Sequence, residues 1–161
     1  MKYWPVPKAY SRKVPSESDA HFGAKRMYKK GLGKHCGIDI YCPVGSKVLA
    51  TEDGKVVHIT DFTGSPSSLQ WRKTWYLMVE NKDKKVSVYG EIRKPKLKRG
   101  QFIKAGQIIG YVGKVLFGKK KYNSAMLHFE LHKKGSRTAT DWYHKKSLHI
   151  INPKKYLKSL L

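Results

Sequence analysis

Two short segments with alternating polar and apolar residues, about 90 positions apart, constrain this chain more than any other feature. The first is Lys34-His35-Cys36-Gly37-Ile38-Asp39-Ile40-Tyr41-Cys42 and the second is Met126-Leu127-His128-Phe129-Glu130-Leu131-His132. Ile38, Ile40, Val48 and Leu49 favour extended backbone, and Gly37 disfavours a helix. On a strand, side chains alternate between faces. His35, Gly37 and Asp39 then share one face, with Ile38 and Ile40 on the other. By the same parity Met126, His128, Glu130 and His132 share a face, and Leu127, Phe129 and Leu131 form the core side. A histidine and a carboxylate converging on one side are two thirds of a protein zinc site. His128 offers the third ligand. Alone, the His35–Asp39 pair reads better as a polar strand edge than as a ligand pair, and the second segment is what gives it weight.

The rest of the chain is rich in strand signals and poor in helix signals. Val48 to Ile59 reads as two strands around a Glu52-Asp53-Gly54 hairpin turn, since Asp-Gly between apolar runs marks a hairpin. Trp75 to Glu80 and Lys85 to Tyr89 form a second hairpin, joined by Asn81-Lys82-Asp83-Lys84. In that second arm Tyr89 and Glu91, two residues apart, fall on one face. Phe102-Ile103 and Ile108 to Val112 continue the pattern, around a turn at Lys104-Ala105-Gly106-Gln107. Residues 94–98 read as a basic turn and 63–68 as a loop. His58 reads as a strand histidine and not a ligand. The sequence thus predicts an all-β, antiparallel sandwich or barrel-sandwich hybrid.

In order and spacing these segments resemble the lysostaphin/LytM-type zinc peptidases of cell walls, family M23. His-x3-Asp is followed by Ala50-Thr51-Glu52-Asp53-Gly54-Lys55-Val56, like the family's Ala-x3-Gly-x-Val. The run Gly100-Gln101-Phe102-Ile103-Lys104-Ala105-Gly106-Gln107-Ile108-Ile109-Gly110 matches its Gly-rich segment, and Asn152-Pro153-Lys154-Lys155-Tyr156-Leu157 resembles its close. The resemblance runs from about residue 23 to residue 157. It implies a lysostaphin-type fold, a zinc ion on His35, Asp39 and His128, and peptidoglycan as substrate. It also implies an extracellular or cell-envelope location. Two departures stand out. Tyr89-Gly90-Glu91 replaces the family's Tyr-Gly-His, and Met126 replaces the first histidine of His-x-His. Both catalytic histidines of the family are therefore missing.

Glu91 is the candidate replacement base, because a carboxylate serves as base beside zinc in His-Glu-x-x-His enzymes. Met126 cannot donate a hydrogen bond. Tyr89 is the candidate substitute, ahead of His132, which lies about 13 Å along the strand from His128 at ~3.3 Å per residue. Structural alternatives stay open: Glu91 as an anchor for a metal-binding histidine and Tyr89 as a core residue. Function then divides three ways. The chain is a zinc endopeptidase of peptidoglycan, or a catalytically degenerate zinc-binding module for the wall or an activating partner, or a polyanion-binding protein on an old peptidase fold.

At 161 residues the chain is long enough for one substantial core. Residues 1–22 read as an irregular arm that packs Tyr3 and Trp4 on the domain, and 23–161 as the peptidase-like domain, expected to be a monomer. A net charge of +23, mostly lysine, draws the chain to polyanions such as peptidoglycan with its anionic polymers. Nucleic acid is disfavoured, because arginine is scarce against lysine and no paired aromatic platform is evident. No apolar run approaches the roughly 18 residues of a membrane span, and the first residues lack a secretion signal's apolar stretch. Cys36 and Cys42 would sit about 20 Å apart on an extended strand, too far for a disulfide. The basic loop at 29–34 reads as a solvated loop or as one suited to close approach of an anionic substrate, and the basic loop at 118–122 is placed near the metal cleft. No chemistry attaches to residues 138–151.

Overall fold

The structure is a computed structural model and describes residues 1–28, 31–63, 72–115, 125–138, 142 and 145–161. It is nearly all β. The strands are Lys25–Tyr28 (β1), Gly31–Lys34 (β2), Ile38–Tyr41 (β3), Lys47–Leu49 (β4), Gly54–Asp61 (β5) and Trp75–Asn81 (β6). They continue as Val86–Ile92 (β7), Phe102–Ile103 (β8), Ile108–Tyr111 (β9), Met126–His132 (β10) and Ile150–Ile151 (β11), before one short helix, Lys154–Lys158 (α1). The main sheet runs β11-β10-β7-β6-β5-β8, with β3 added against β10, and β1-β2 and β4-β9 form two small pairs. All described pairings are antiparallel.

Strand β10 is central, flanked by β7 on one side and by β3 and β11 on the other. Its alternation follows the sequence parity. Leu127 and Phe129 enter the main core with Ile38, Ile40, Val48, Tyr89 and Leu157. Phe129 meets Tyr89 edge-on at 5.4 Å and stacks on Tyr156 at 5.9 Å. Burial of such a ring is worth about 1.5–3 kcal/mol and fixes which face β10 turns inward. Tyr156 is tied in turn to Thr51 and Glu52 through its hydroxyl, both at 2.7 Å, so α1 closes the core.

The hairpin expected at Val48–Ile59 does not form. Strand β4 pairs with β9, while β5 pairs with β6 and β8. Gly54 does not have the positive φ that a type I′ turn needs, and it opens β5 instead. Its glycine identity answers another demand: a Cβ there would lie 2.5 Å from Val79 Cγ1 and 2.7 Å from the Glu80 carbonyl oxygen. Asp53 Oδ1 accepts the Ala105 N–H at 2.9 Å and joins two loops. The second hairpin forms as read, with β6 and β7 joined through Lys84 at φ +69°. Of the basic loop read before His35, residues 31–34 form strand β2 against β1, and residues 29 and 30 lie outside the described residues.

The N-terminal arm carries no strand, yet it belongs to the core. Trp4 and Val6 are buried among the main cluster. Tyr3 N–H donates to the Thr51 carbonyl and Leu49 N–H to the Pro5 carbonyl, both at 2.8 Å. Cys36 and Cys42 are buried and neither is in a disulfide. Among the described residues no helix is long and apolar enough to cross a membrane. The basic loop read at 118–122, most of the loop at 63–68 and residues 139–141, 143 and 144 lie outside the described residues.

Candidate metal centre

The antiparallel register of β3 and β10 sets Asp39 directly opposite His128. His35 reaches the same spot from the turn between β2 and β3. That turn is held by the end of the arm and the residues just after it: His35 N–H donates to the Ala24 carbonyl at 2.8 Å, and Asp39 N–H to the Ala20 carbonyl at 3.0 Å. Three ligand atoms result. His35 Nε2 lies 3.1 Å from Asp39 Oδ1, His128 Nδ1 lies 2.9 Å from the same oxygen, and the two imidazole nitrogens are 3.0 Å apart. All three residues are buried.

The outer partners decide what those atoms are. His35 Nδ1 faces the His21 carbonyl oxygen at 2.9 Å, an acceptor only, so Nδ1 carries the proton and Nε2 a lone pair. His128 Nε2 faces Glu130 Oε1 at 2.8 Å, so its lone pair is on Nδ1. With both tautomers so set, two nitrogen lone pairs and a carboxylate oxygen point at one another with no donor between them. Such an arrangement asks for a cation. A tetrahedral ion with bonds of about 2.0–2.2 Å has ligand–ligand edges of roughly 3.3–3.5 Å. The observed triangle is a few tenths of an ångström tighter, an opening that side-chain torsions supply. The donor set of two imidazoles and one carboxylate, with a fourth direction left over, fits zinc.

Without a cation, protons must do the work. Burial opposes charge on Asp39, but hydrogen bonds from His128 and His35 outweigh it and hold the carboxyl well below the usual range. Burial likewise disfavours charged His128, and the Asp39 and Glu130 carboxylates override it to raise its pKa to about 10. Glu130 is also buried. The two histidines it bridges nevertheless bring it down to about 2, His132 Nε2 bonding its second oxygen at 2.5 Å. His132 ends the chain on Ser136 Oγ at 2.9 Å. The strand parity read from sequence thus yields a buried line, His128–Glu130–His132–Ser136, behind the centre.

Gly37 is required by this packing. A Cβ on it would fall 2.5 Å from the Phe129 carbonyl oxygen and 2.9 Å from His128 Cε1 and Nε2. Two contributors carried no signal in the sequence. Arg26, on β1, places Nη2 3.3 Å from Asp39 Oδ2 and also bonds the Asp19 carbonyl. Phe62 lies against the His128 ring at 5.1 Å and over Gly90, its neighbour on β7.

Tyr89 and Glu91 part company. Between Trp75 and Leu77 of β6 lie two residue steps, and between their partners Ile92 and Tyr89 lie three, a β-bulge. Tyr89 and Ile92 both enter the main core, which strict alternation over three residues would forbid. The extra residue is accommodated at Glu91, with φ +59°. The shared face read for Tyr89 and Glu91 is therefore corrected. Tyr89 turns inward, its hydroxyl held by Thr51 N–H at 3.0 Å and Thr51 Oγ1 at 2.9 Å, and burial pushes its pKa up to about 12. The structure does not bring it to the metal centre. Glu91 turns toward Thr74 and Thr63, whose hydroxyls both donate to Oε2, at 2.7 and 2.9 Å. Burial raises its carboxyl pKa, these two bonds oppose that, and the charges of both His128 and Asp39 reach it.

The scaffold is nearly all β and, among the described residues, carries one group, His35, Asp39 and His128, whose atoms lie close enough together to hold a metal ion. The model of peptidase family M23 matches residues 33–140, more than half of the chain, and the chain belongs to that family. No curated protein sequence matches it. Among solved structures it is similar to a zinc-containing peptidase from Vibrio cholerae, at 29% identity over 81% of this chain and 36% of that one, with a TM-score of 0.56. It is similar to LytU at 26% identity, covering 93% of this chain and 88% of that one, TM-score 0.60. The antimicrobial peptidase lysostaphin from Staphylococcus simulans shares its fold, at 20% identity and TM-score 0.62, over 99% of this chain and 56% of lysostaphin. The chain thus spans only about a third of the Vibrio protein and somewhat over half of lysostaphin.

Proposed function

We propose that this chain is a zinc-dependent endopeptidase acting on peptidoglycan peptides at the cell envelope or outside the cell. His35, Asp39 and His128 hold the zinc, and Glu91 is the general base. The observation that carries the reading is the triangle of three acceptor atoms, 2.9–3.1 Å on a side, with both histidine tautomers fixed from behind. Zinc in such a centre supplies Lewis acidity toward a peptide carbonyl and acidifies water. The family's peptidase class and the likeness to lysostaphin support a wall peptide as substrate. The net charge of +23 supports attraction to the wall's anionic polymers.

Glu91 is suited to take a proton from water and pass it to the leaving amine. Burial lifts its pKa from the ordinary carboxylate value toward the working range. Thr63 and Thr74 orient one oxygen, and the bulge turns the side chain out of the core. Tyr89 takes no part in this scheme, since its hydroxyl is spent on Thr51.

A second reading has one observation in its favour: two hydroxyls already occupy Glu91 Oε2, and Met126 offers no donor beside the centre. On that reading the chain keeps zinc but only binds wall or activates a partner. Digestion of purified peptidoglycan by zinc-loaded wild type and Glu91→Gln separates the two. The hydrolase reading expects wild-type release of soluble peptides and a loss of about 10²-fold or more in the variant at unchanged zinc content. Inert wild type that still binds wall and zinc supports the degenerate module, and full activity in Glu91→Gln removes Glu91 from the mechanism.

A further inference from the structure

We propose that Tyr41 is a further catalytic residue of this centre, donating its phenolic hydrogen to the oxyanion that forms when a peptide carbonyl is attacked. The inference rests on the hydrolytic reading above and names a group that reading lacks.

The argument is one of register. In the β3–β10 ladder His128 pairs with Asp39, and the next rung on the same face pairs Met126 with Tyr41. Two residues along an antiparallel strand amount to about 6.8 Å, the length of two residues of an extended bound peptide. Asp39 and Tyr41 project from one face of β3, as His128 and Met126 do from one face of β10. The rung bordering the centre therefore consists of a thioether, which cannot donate, and a phenol, which can.

Several other donors around the centre, among the described residues, are already engaged. Arg26 Nη2 is engaged by Asp39 Oδ2 and the Asp19 carbonyl. The Thr63 and Thr74 hydroxyls go to Glu91. His35 Nδ1 and His128 Nε2 point away from the centre, to His21 and Glu130. Tyr89 is buried on Thr51. The Tyr41 hydroxyl makes no hydrogen bond to a described residue, and the side chain is 39% exposed, so it is free to meet a ligand. It also lies within the field of Asp39 and Arg26, the two charges at the rim of the centre. A neutral donor bordering the site where negative charge develops is the kind of group that lowers an acyl-transfer barrier.

The test compares wild type and Tyr41→Phe, a change that removes only a hydroxyl with no hydrogen-bond partner among the described residues, and reads two quantities. One is peptidoglycan hydrolysis. The other is the extra binding of inorganic phosphate, a tetrahedral oxyanion, that zinc-loaded protein shows over metal-free protein at about 0.5 M salt, where exposed lysines are screened. With zinc content and thermal midpoint unchanged, Tyr41→Phe is expected to lose about 10²-fold in kcat with little change in KM. Its zinc-dependent phosphate affinity should fall roughly 10-fold or more. A variant equal to wild type in both would overturn the assignment and leave the hydrolytic reading standing. Wild type that cleaves nothing but shows Tyr41-dependent phosphate binding would support Tyr41 as the donor while sinking the hydrolytic reading. Wild type that neither cleaves nor gains phosphate affinity with zinc would overturn both.

Discussion

Gly37→Ala adds a single methyl group and is expected to damage the metal centre from outside it. The new Cβ would sit 2.5 Å from the Phe129 carbonyl oxygen, where ordinary contact begins at 3.4 Å, so β3 and β10 must part by about 0.9 Å at that rung. The neighbour is backbone of a central strand and cannot rotate aside. The same methyl would press on the His128 ring at 2.9 Å and displace Nδ1 from its 2.9 Å approach to Asp39. Overpacking of this kind costs about 1–3 kcal/mol. Disturbing the support of a metal-binding histidine typically weakens metal affinity about 10- to 100-fold. Urea unfolding of metal-free protein reads the first effect, and competition against a zinc-binding dye reads the second. An unchanged urea midpoint together with wild-type zinc affinity would refute the close approach of the two strands at Gly37.

Two further outcomes follow from charge. In metal-free protein the Glu130 carboxyl titrates at about 2 in the folded state against 4.5 unfolded. Because the folded value is the lower, its stabilisation is complete above pH 4.5 and is lost as pH falls toward 2. Urea midpoints measured down that window should fall more steeply for wild type than for Glu130→Gln, and equal slopes would contradict the bridge to His128 and His132. Binding to purified walls should weaken steeply from low to physiological salt, since exposed lysines act through screened interactions. Salt-insensitive sedimentation with walls would mean that recognition is not electrostatic.

What the sequence carried was local. The alternation of Leu127, Phe129 and Leu131 with His128, Glu130 and His132 is a period-two pattern, and the sheet preserves it because Phe129 has an aromatic stack to fill. The four-residue spacing of His35 and Asp39 survives although β3 begins only at Ile38. What failed was also specific. Gly54 looked like a turn glycine and is a close-approach glycine, and the sequence does not distinguish those two uses of a missing Cβ. Parity from Tyr89 to Glu91 broke at a bulge, which inserts one residue without any compositional mark. Arg26 and Phe62 reach the centre through tertiary packing from β1 and from the end of β5, and no local pattern encodes a partner so far along the chain. Tyr41 was in plain view within the first motif, and only the pairing register gave it a neighbour.

The central claim is that His35, Asp39 and His128 form one zinc site, and metal analysis of purified protein tests it most directly. Wild type, Asp39→Ala and His128→Ala would each be exposed to zinc, desalted and assayed for metal per chain. The account predicts one zinc per wild-type chain and loss of it in both variants, with the fold retained by circular dichroism. Stoichiometric zinc in both variants, or none in wild type, would contradict it.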